Sequence, residues 1–135
     1  MIENIHAEVV VIGAGPGGYA AAFRSADLGK QVILIDKDEA LGGVCLNRGC
    51  IPSKALLHLA KVIGDAKALK KSGVTFAEPE LDLDAVRSWK ELVVSKLSKG
   101  IAQLAKVRNV QVLQGTAAFD SPTQLSVENS VSTQV

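Results

Sequence analysis

The sequence predicts an α/β fold in which helices cover a parallel β-sheet. Two apolar, β-branched runs, residues 7–12 (AEVVVI) and 31–36 (QVILID), are typical of buried parallel strands. Between them, the alanine-rich residues 16–28 predict a helix, with Pro16 suited to its start and Gly29 to the position just past its end. Because such crossovers are right-handed, we expect the two strands to lie side by side in one sheet.

The rest of the chain continues the alternation of helices and strands. We expect a loop over residues 37–43, then the cysteine segment, then a helix over about residues 53–69. A break at residues 73–80, which contains a proline, separates that helix from the next. Residues 109–114 (NVQVLQ) predict a third strand parallel to the first two, and residues 116–127 predict a short β excursion.

A long amphipathic helix is predicted over residues 83–107, and either Asp82 or Asp84 can cap its start. Its apolar side chains recur at steps of three and four residues, which indicates a face that packs into the core. The predicted core face consists of Val86, Trp89, Val93, Leu97, Ile101 and Leu104.

Composition excludes several classes of protein. The chain has 135 residues and a net charge of +1, which suits one domain and does not favour nucleic acid or an anionic membrane as a partner. It contains no apolar run near the roughly 18 residues that span a bilayer, and residues 1–8 do not resemble a signal peptide. We therefore expect a cytoplasmic protein. Residues 128–135 show no core pattern, so we interpret the chain as a partial domain that is incomplete at its carboxyl end.

A glycine motif follows the first predicted strand. Gly13, Gly15 and Gly18 form a G-x-G-x-x-G pattern that opens the first helix, and Asp36 ends the second strand. In this context the glycines permit a tight turn, close approach of a pyrophosphate and close helix packing, and the helix start attracts phosphate. The carboxylate at the end of the second strand can accept hydrogen bonds from a ribose diol and repels a 2′-phosphate. The motif alone does not separate FAD from NAD.

Cys45 and Cys50 are the only two cysteines and lie five positions apart. On a regular helix their Cα atoms would be about 8.5 Å apart, whereas a disulfide requires less than about 7 Å. A bridge therefore needs an irregular turn, which Gly49 and Pro52 can provide. The favoured interpretation is a redox-active disulfide; a zinc site, with His58 as the only nearby histidine, and inert thiols are the alternatives. A disulfide beside a dinucleotide fold favours FAD, which exchanges electrons with both hydride carriers and thiolates.

Two segments, VIGAGPGGY and GGVCLNRGCIPSKALLH, resemble the class I pyridine nucleotide–disulfide oxidoreductases. The form Cys-Leu-Asn-x-Gly-Cys-Ile-Pro-Ser-Lys is more similar to the dihydrolipoamide dehydrogenases of that family than to the glutathione or mercuric reductases. The similarity runs from about residue 8 to residue 119. It implies a Rossmann-type FAD-binding domain.

The resemblance also implies roles for individual residues. Cys45 would be the interchange thiol that attacks the substrate disulfide, and Cys50 would lie against the flavin as the charge-transfer thiolate. Lys54 would lie near the flavin and support negative charge there, Asp36 would hold the adenosine ribose, and the backbone of Ala117 would touch the adenine end. The full set of implied FAD contacts is Gly13, Gly15, Pro16, Gly18, Asp36, Lys37, Gly42, Gly43, Val44, Cys45, Lys54 and Ala117.

The family reaction passes electrons from dihydrolipoamide to the disulfide, then to FAD and then to NAD. The implied partners are lipoyl domains of 2-oxoacid dehydrogenase complexes and a second copy of the full-length enzyme. We expect the NAD-binding, central and dimer-interface domains, with a catalytic His–Glu pair, to lie outside these 135 residues, so the chain alone is expected to be inactive. The alternatives are a non-catalytic FAD-binding fragment and a part of a glutathione- or mercuric-type reductase.

Two positions depart from the family pattern. Asp36 stands where many relatives carry glutamate, which shortens the reach to the ribose. Arg48 lies between the cysteines where an aliphatic residue is common. Its guanidinium either favours a thiolate or is simply a solvated side chain. His6 and His58 do not match the catalytic histidine of the family, and both are expected at the surface or the edge of the core.

Overall fold

A computed structural model describes residues 3–128 and 133–134 of the chain. The strands are β1 (Glu3–Asn4), β2 (Val9–Ile12), β3 (Val32–Asp36), β4 (Gln111–Gln114), β5 (Thr116–Ser121), β6 (Gln124–Glu128) and β7 (Thr133–Gln134). The helices are α1 (Pro16–Asp27), α2 (Gly43–Arg48), α3 (Cys50–Ala68) and α4 (Leu83–Val107), with a 3-10 turn at Leu69–Ser72.

A parallel sheet with the strand order β2-β3-β4 forms the centre of the fold. Val11 of β2 lies opposite Leu34 of β3, and Leu34 lies opposite Val112 of β4. The predicted β-α-β unit and the parallel third strand are therefore confirmed, with strand ends that differ from the predicted ones by at most two residues. The carboxyl ends of the three strands meet at one edge of the sheet, which we call the carboxyl edge.

The two faces of this sheet are covered by different layers. Leu34 and Ala22, both fully buried, belong to the core between the sheet and the helices, together with Ile101 of α4. Ile33 and Ile35 point to the opposite face and pack with Val127 of β6. That second layer is a four-stranded sheet with the order β1-β7-β6-β5, in which the antiparallel β5–β6 hairpin is the predicted β excursion. The three layers support the α/β prediction.

Helix α4 has the predicted bounds, but the predicted core face is partly wrong. Asp82 is the cap, because its Oδ1 accepts hydrogen bonds from the N–H groups of Asp84 and Ala85 at 3.0 Å. The buried side chains are Val94, Ile101 and Ala105. Of the six predicted core residues only Ile101 is buried; Val86 and Val93 are half-buried, and Trp89, Leu97 and Leu104 are exposed. The helix is apolar on two adjacent faces, and the core takes the one with smaller side chains, which lets α4 lie close to its neighbours.

The cysteine segment also differs from the prediction, because it is helical. Helix α2 contains Cys45, and α3 begins at Cys50 instead of near residue 53. Gly49 alone separates the two helices, while Pro52 lies inside the first turn of α3 and makes no break. A proline in that first turn costs little, since the N–H that it lacks would have no partner within the helix.

At the opposite edge of the central sheet, a carboxylate ties β2 to the start of β3. Glu8 accepts hydrogen bonds from the Gln31 backbone N–H and from Lys30, both at 2.9 Å. The Gln31 N–H, and then Lys30, hold the pKa of this carboxyl below its usual value. Within the described part of the chain, no helix has the length and apolar character needed to cross a membrane.

Candidate dinucleotide and disulfide site

The glycine turn between β2 and α1 has the close contacts that the motif predicts. A Cβ at Gly18 would lie 1.6 Å from the Gly13 carbonyl oxygen, so only glycine lets α1 start this near to the strand. A Cβ at Gly15, in contrast, would have no atom within 4 Å. The space beside Gly15 and the first N–H groups of α1, which begins at Pro16, therefore suits a ligand phosphate.

Ala14, inside the glycine turn, links three segments of the site through its backbone. It is fully buried, its N–H donates to Asp36 Oδ2 at 2.6 Å, and its carbonyl accepts from the Gly42 N–H at 2.9 Å. The turn is thus held to the end of β3 and to the loop before α2. No sequence motif indicates these links, because they are made by the main-chain atoms of an alanine.

Asp36 organises the end of β3. Its Oδ1 accepts from the Asp38 N–H at 2.8 Å, and its carbonyl oxygen accepts from the Gly115 N–H at 2.8 Å. Each carboxylate oxygen can accept more than one hydrogen bond, so a ribose hydroxyl still has acceptors here. Lys37, the next residue, is exposed.

The strand after Gly115 brings another predicted residue to the same edge. Ala117, near the start of β5, is half-buried and packs against the cluster formed by Ile35 and Val127. Its backbone is two residues from the Gly115 N–H that bonds to Asp36. The structure therefore brings the predicted adenine-end residue to the end of the sheet that carries the predicted ribose ligand.

Cys45 and Cys50 form a disulfide, and their Cα atoms are 4.8 Å apart. This is well below the separation on a continuous helix, because the chain changes direction at Gly49. A Cβ at Gly49 would lie 3.0 Å from the Val44 carbonyl oxygen, so a side chain here would press on α2. Cys45 is half-buried and Cys50 is exposed, and a dithiol in solution can thus approach the pair.

The start of α2 lies directly on the glycine turn. A Cβ at Gly43 would be 2.7 Å from the Gly15 Cα, and Gly43 has a φ of +61°, which also favours glycine. Since Cys45 follows two residues later on the same helix, its Cα lies about 5 Å from that of Gly43. The disulfide and the predicted phosphate site are therefore immediate neighbours in space.

The loop before α2 is held by side-chain contacts that no sequence motif indicates. Ser98 of α4 donates to the Leu41 carbonyl at 3.0 Å, and Asn47 donates to the carbonyls of Ala40 and Leu41 at 3.1 and 3.3 Å. The guanidinium of Arg48 lies 2.5 Å from Asp38 Oδ2. In the sequence, Ser98 is only a polar residue on a helix face. Nothing about it indicates a hydrogen-bond partner 57 residues away.

The other predicted residues lie around this arrangement. Gly42 is buried, and a Cβ there would be 2.7 Å from the Leu46 Cβ, while Val44 is 65% exposed. Lys54 is exposed one helical turn after Cys50. His6 and His58 are both exposed, and within the described residues no three ligating side chains come together as a metal site.

Comparison with known proteins agrees with this geometry. The model of the family described as pyridine nucleotide-disulphide oxidoreductase matches residues 7–133. A dihydrolipoyl dehydrogenase of Vibrio cholerae is 55% identical over 128 residues, which is 95% of this chain and 27% of the relative. A dihydrolipoyl dehydrogenase of Haemophilus influenzae is 56% identical over 124 residues, or 91% of this chain and 26% of the relative. The dihydrolipoyl dehydrogenase 3 of Haloarcula marismortui is 47% identical over 89% of this chain. The chain spans about a quarter of the length of these relatives.

Proposed function

The chain belongs to the pyridine nucleotide-disulphide oxidoreductase family, and from this premise we propose that its carboxyl edge binds FAD beside a redox-active Cys45–Cys50 disulfide. The contact between Gly43 and Gly15 is the observation that carries the proposal. It sets the disulfide helix on the turn that is suited to a pyrophosphate. A disulfide that served only stability would not need this position.

The proposed contacts divide the cofactor between the segments of the site. The pyrophosphate lies beside Gly15 at the start of α1, where N–H groups and the helix dipole favour negative charge. Asp36 accepts hydrogen bonds from the adenosine ribose, and Ala117 approaches the adenine. Other contacts come from Gly13, Pro16, Gly18, Lys37, Gly42, Gly43, Val44, Cys45 and Lys54.

The cysteines carry the thiol chemistry. A thiolate of a dithiol substrate attacks Cys45 Sγ, the Cys45–Cys50 bond breaks, and Cys50 leaves as a thiolate. The second substrate thiol then displaces Cys45, so the substrate closes to a disulfide and the protein holds two electrons as a dithiol. FAD, when bound, supplies the two-electron chemistry that connects this dithiol to a hydride acceptor.

For the whole protein we propose the activity that the name of its relatives, dihydrolipoyl dehydrogenase, indicates. The reaction is oxidation of dihydrolipoamide, for which we propose NAD as the electron acceptor. The substrate is then the lipoyl group of a 2-oxoacid dehydrogenase complex, and the setting is the cytoplasm. We propose that the whole protein also has an NAD site, an acid–base histidine and the surfaces of a homodimer, outside the 135 residues of this chain.

The proposal is tested by titrating the chain with FAD and reducing the complex anaerobically with dihydrolipoamide. We expect stoichiometric binding and, on reduction, a long-wavelength absorbance band from a thiolate in contact with the flavin. Cys45→Ser leaves Cys50 as a free thiol, so the band is expected without a reductant. Cys50→Ser removes the thiol that meets the flavin and should give no band.

Two outcomes would contradict the proposal. Absence of FAD binding would refute the cofactor assignment. A long-wavelength band from Cys50→Ser, with none from Cys45→Ser, would reverse the proposed roles of the two cysteines. Addition of NAD to the reduced complex is expected to give no NADH from these 135 residues. Rapid NADH formation would show that the chain holds a nicotinamide site of its own.

A further inference from the structure

The residues between the two cysteines hold the loop that follows β3. Arg48 pairs with Asp38 at 2.5 Å, and Asn47, its neighbour, bonds to the Ala40 carbonyl at 3.1 Å. The sequence offered two interpretations of Arg48, a charge that favours a cysteine thiolate or a solvated side chain. The ion pair is a third, because the guanidinium is directed to the loop.

Asp38 connects this ion pair to the proposed ribose ligand. Its N–H donates to Asp36 Oδ1 at 2.8 Å, and Asp36 Oδ2 accepts from the Ala14 N–H at 2.6 Å. A continuous path of polar contacts thus runs from the disulfide segment through Arg48, Asp38 and Asp36 to the glycine turn. The Arg48 and Asp38 side chains are 58% and 31% exposed, so the pair can break and re-form without disturbing the core.

We infer that the Arg48–Asp38 ion pair is a positioning contact that couples the redox state of the disulfide to nucleotide affinity. This inference rests on the proposed binding of FAD at the carboxyl edge. The disulfide joins residues 45 and 50 and so restrains the segment that presents Arg48. A restrained segment loses less entropy when the ion pair forms, and a formed ion pair keeps Asp38 and Asp36 in place for the ribose.

Reduction removes the restraint. A dithiol such as dithiothreitol gives two electrons to the Cys45–Cys50 bond and closes to its own cyclic disulfide, while the cysteines take up its two protons to become thiols. We expect nucleotide binding about fivefold weaker in the dithiol state, the upper end for an exposed ion pair. By linkage, bound nucleotide then makes the disulfide harder to reduce by the same factor.

The first test measures the affinities of FAD and ADP for the oxidised and the reduced chain. ADP carries the ribose and pyrophosphate without a flavin ring, so its affinity is free of direct contacts between ring and thiol. Arg48→Val and Asp38→Asn should each weaken both ligands to the oxidised chain about fivefold, and the double variant should be no weaker than either. In all three variants reduction should have no further effect on the affinity for ADP.

A control variant and an opposite result make this test decisive. Arg87 forms a more exposed ion pair with Asp84 on α4, away from the carboxyl edge, and Arg87→Val should leave both affinities and their redox dependence unchanged. If Arg48 instead acted on the thiols, Asp38→Asn would free the guanidinium and change thiol reactivity in the direction opposite to Arg48→Val. That result, or an Asp38→Asn variant that keeps the redox dependence, would overturn the inference.

A second measurement separates this inference from the proposed function because it needs no nucleotide. Amide hydrogen exchange of the nucleotide-free chain reports the Asp38 N–H, which bonds to Asp36, and the Gly42 N–H, which bonds to Ala14. Reduction and Arg48→Val should each speed exchange at Asp38 about fivefold, with the Tyr19 N–H of α1 as an unchanged internal reference. Unchanged exchange at Asp38 would refute the coupling, whereas a normal response without any FAD or ADP binding would refute the proposed function alone.

Discussion

Replacement of Gly43 by alanine tests the junction on which the site depends. The new Cβ would lie 2.7 Å from the Gly15 Cα, where carbon atoms in contact normally keep about 3.5–4.0 Å. Helix α2 must therefore move away from the glycine turn by about 1 Å. Gly43 also has a φ of +61°, a region that costs an L-residue about 1–2 kcal/mol.

The two effects have a predictable sum. Overpacking of a tight contact costs about 1–3 kcal/mol, so the Gly43→Ala variant should lose about 2–5 kcal/mol of unfolding free energy. Because the displaced helix carries Cys45, FAD affinity should fall by more than tenfold even where the chain remains folded. Gly17→Ala is the matched control, since a Cβ at Gly17 in the same turn meets no atom within 4 Å.

Urea unfolding of the oxidised chain, with FAD titration below the transition, measures both quantities. Gly17→Ala should keep the unfolding free energy of the original chain or raise it slightly, because alanine favours helix over glycine. A Gly43→Ala variant within about 0.5 kcal/mol of the original chain, with unchanged FAD affinity, would show that α2 does not rest on the glycine turn.

Three further substitutions test other parts of the fold. Glu8→Gln should destabilise the chain at neutral pH and not in acid, because the Gln31 N–H chiefly lowers the pKa of Glu8 in the fold. The contribution of Glu8 to the unfolding free energy is therefore present above the pKa of the unfolded chain and is lost as pH falls through the folded value. Equal losses of unfolding free energy at both pH values would contradict this. Asp82→Ala should cost about 1 kcal/mol, measured by urea unfolding, because two N–H groups of α4 lose their acceptor; no loss would exclude the cap. Gly49→Ala should shift the equilibrium with dithiothreitol about fivefold toward the dithiol. A Cβ 3.0 Å from the Val44 carbonyl oxygen opposes closure of the bridge at a cost of about 1 kcal/mol. An unchanged equilibrium would mean that the backbone moves to accept the Cβ at no cost.

Local patterns were sufficient to predict the elements that local forces specify. The strand of residues 32–36 is a continuous β-branched run, and the first and last long helices begin at Pro16 and after Asp82, residues with a defined role at a helix start. The glycine motif predicted its own turn because Gly18 is sterically obligatory there. Each of these signals lies within a few residues of the structure that it predicts.

The predictions of a non-helical cysteine segment and of the core face of α4 were wrong, because contacts between residues distant in sequence decide both structures. Helix α2 has only six residues, too few to be stable alone, and is held by the buried Leu46 and by the hydrogen bonds of Asn47 to the preceding loop. In α4, the apolar period was correct but did not reveal which of two adjacent apolar faces meets the sheet. Small residues such as Ala105 mark the close contact, and alanine carries a weak hydrophobic signal.

The site combines these two kinds of information. Sequence motifs identify its glycines, its carboxylate and its cysteines, but most bonds that join them are made by the main chain of Ala14, Gly42 and Gly115. Main-chain hydrogen bonds constrain the position of the backbone more than the identity of the residue. Side chains next to these bonded segments can therefore vary without loss of the site. Arg48 occupies one of these marginal positions, and its pairing with Asp38 gives this chain a contact that an aliphatic residue could not make. A difference in redox coupling between this chain and a variant with valine at that position would follow from one ion pair, with the shared site unchanged.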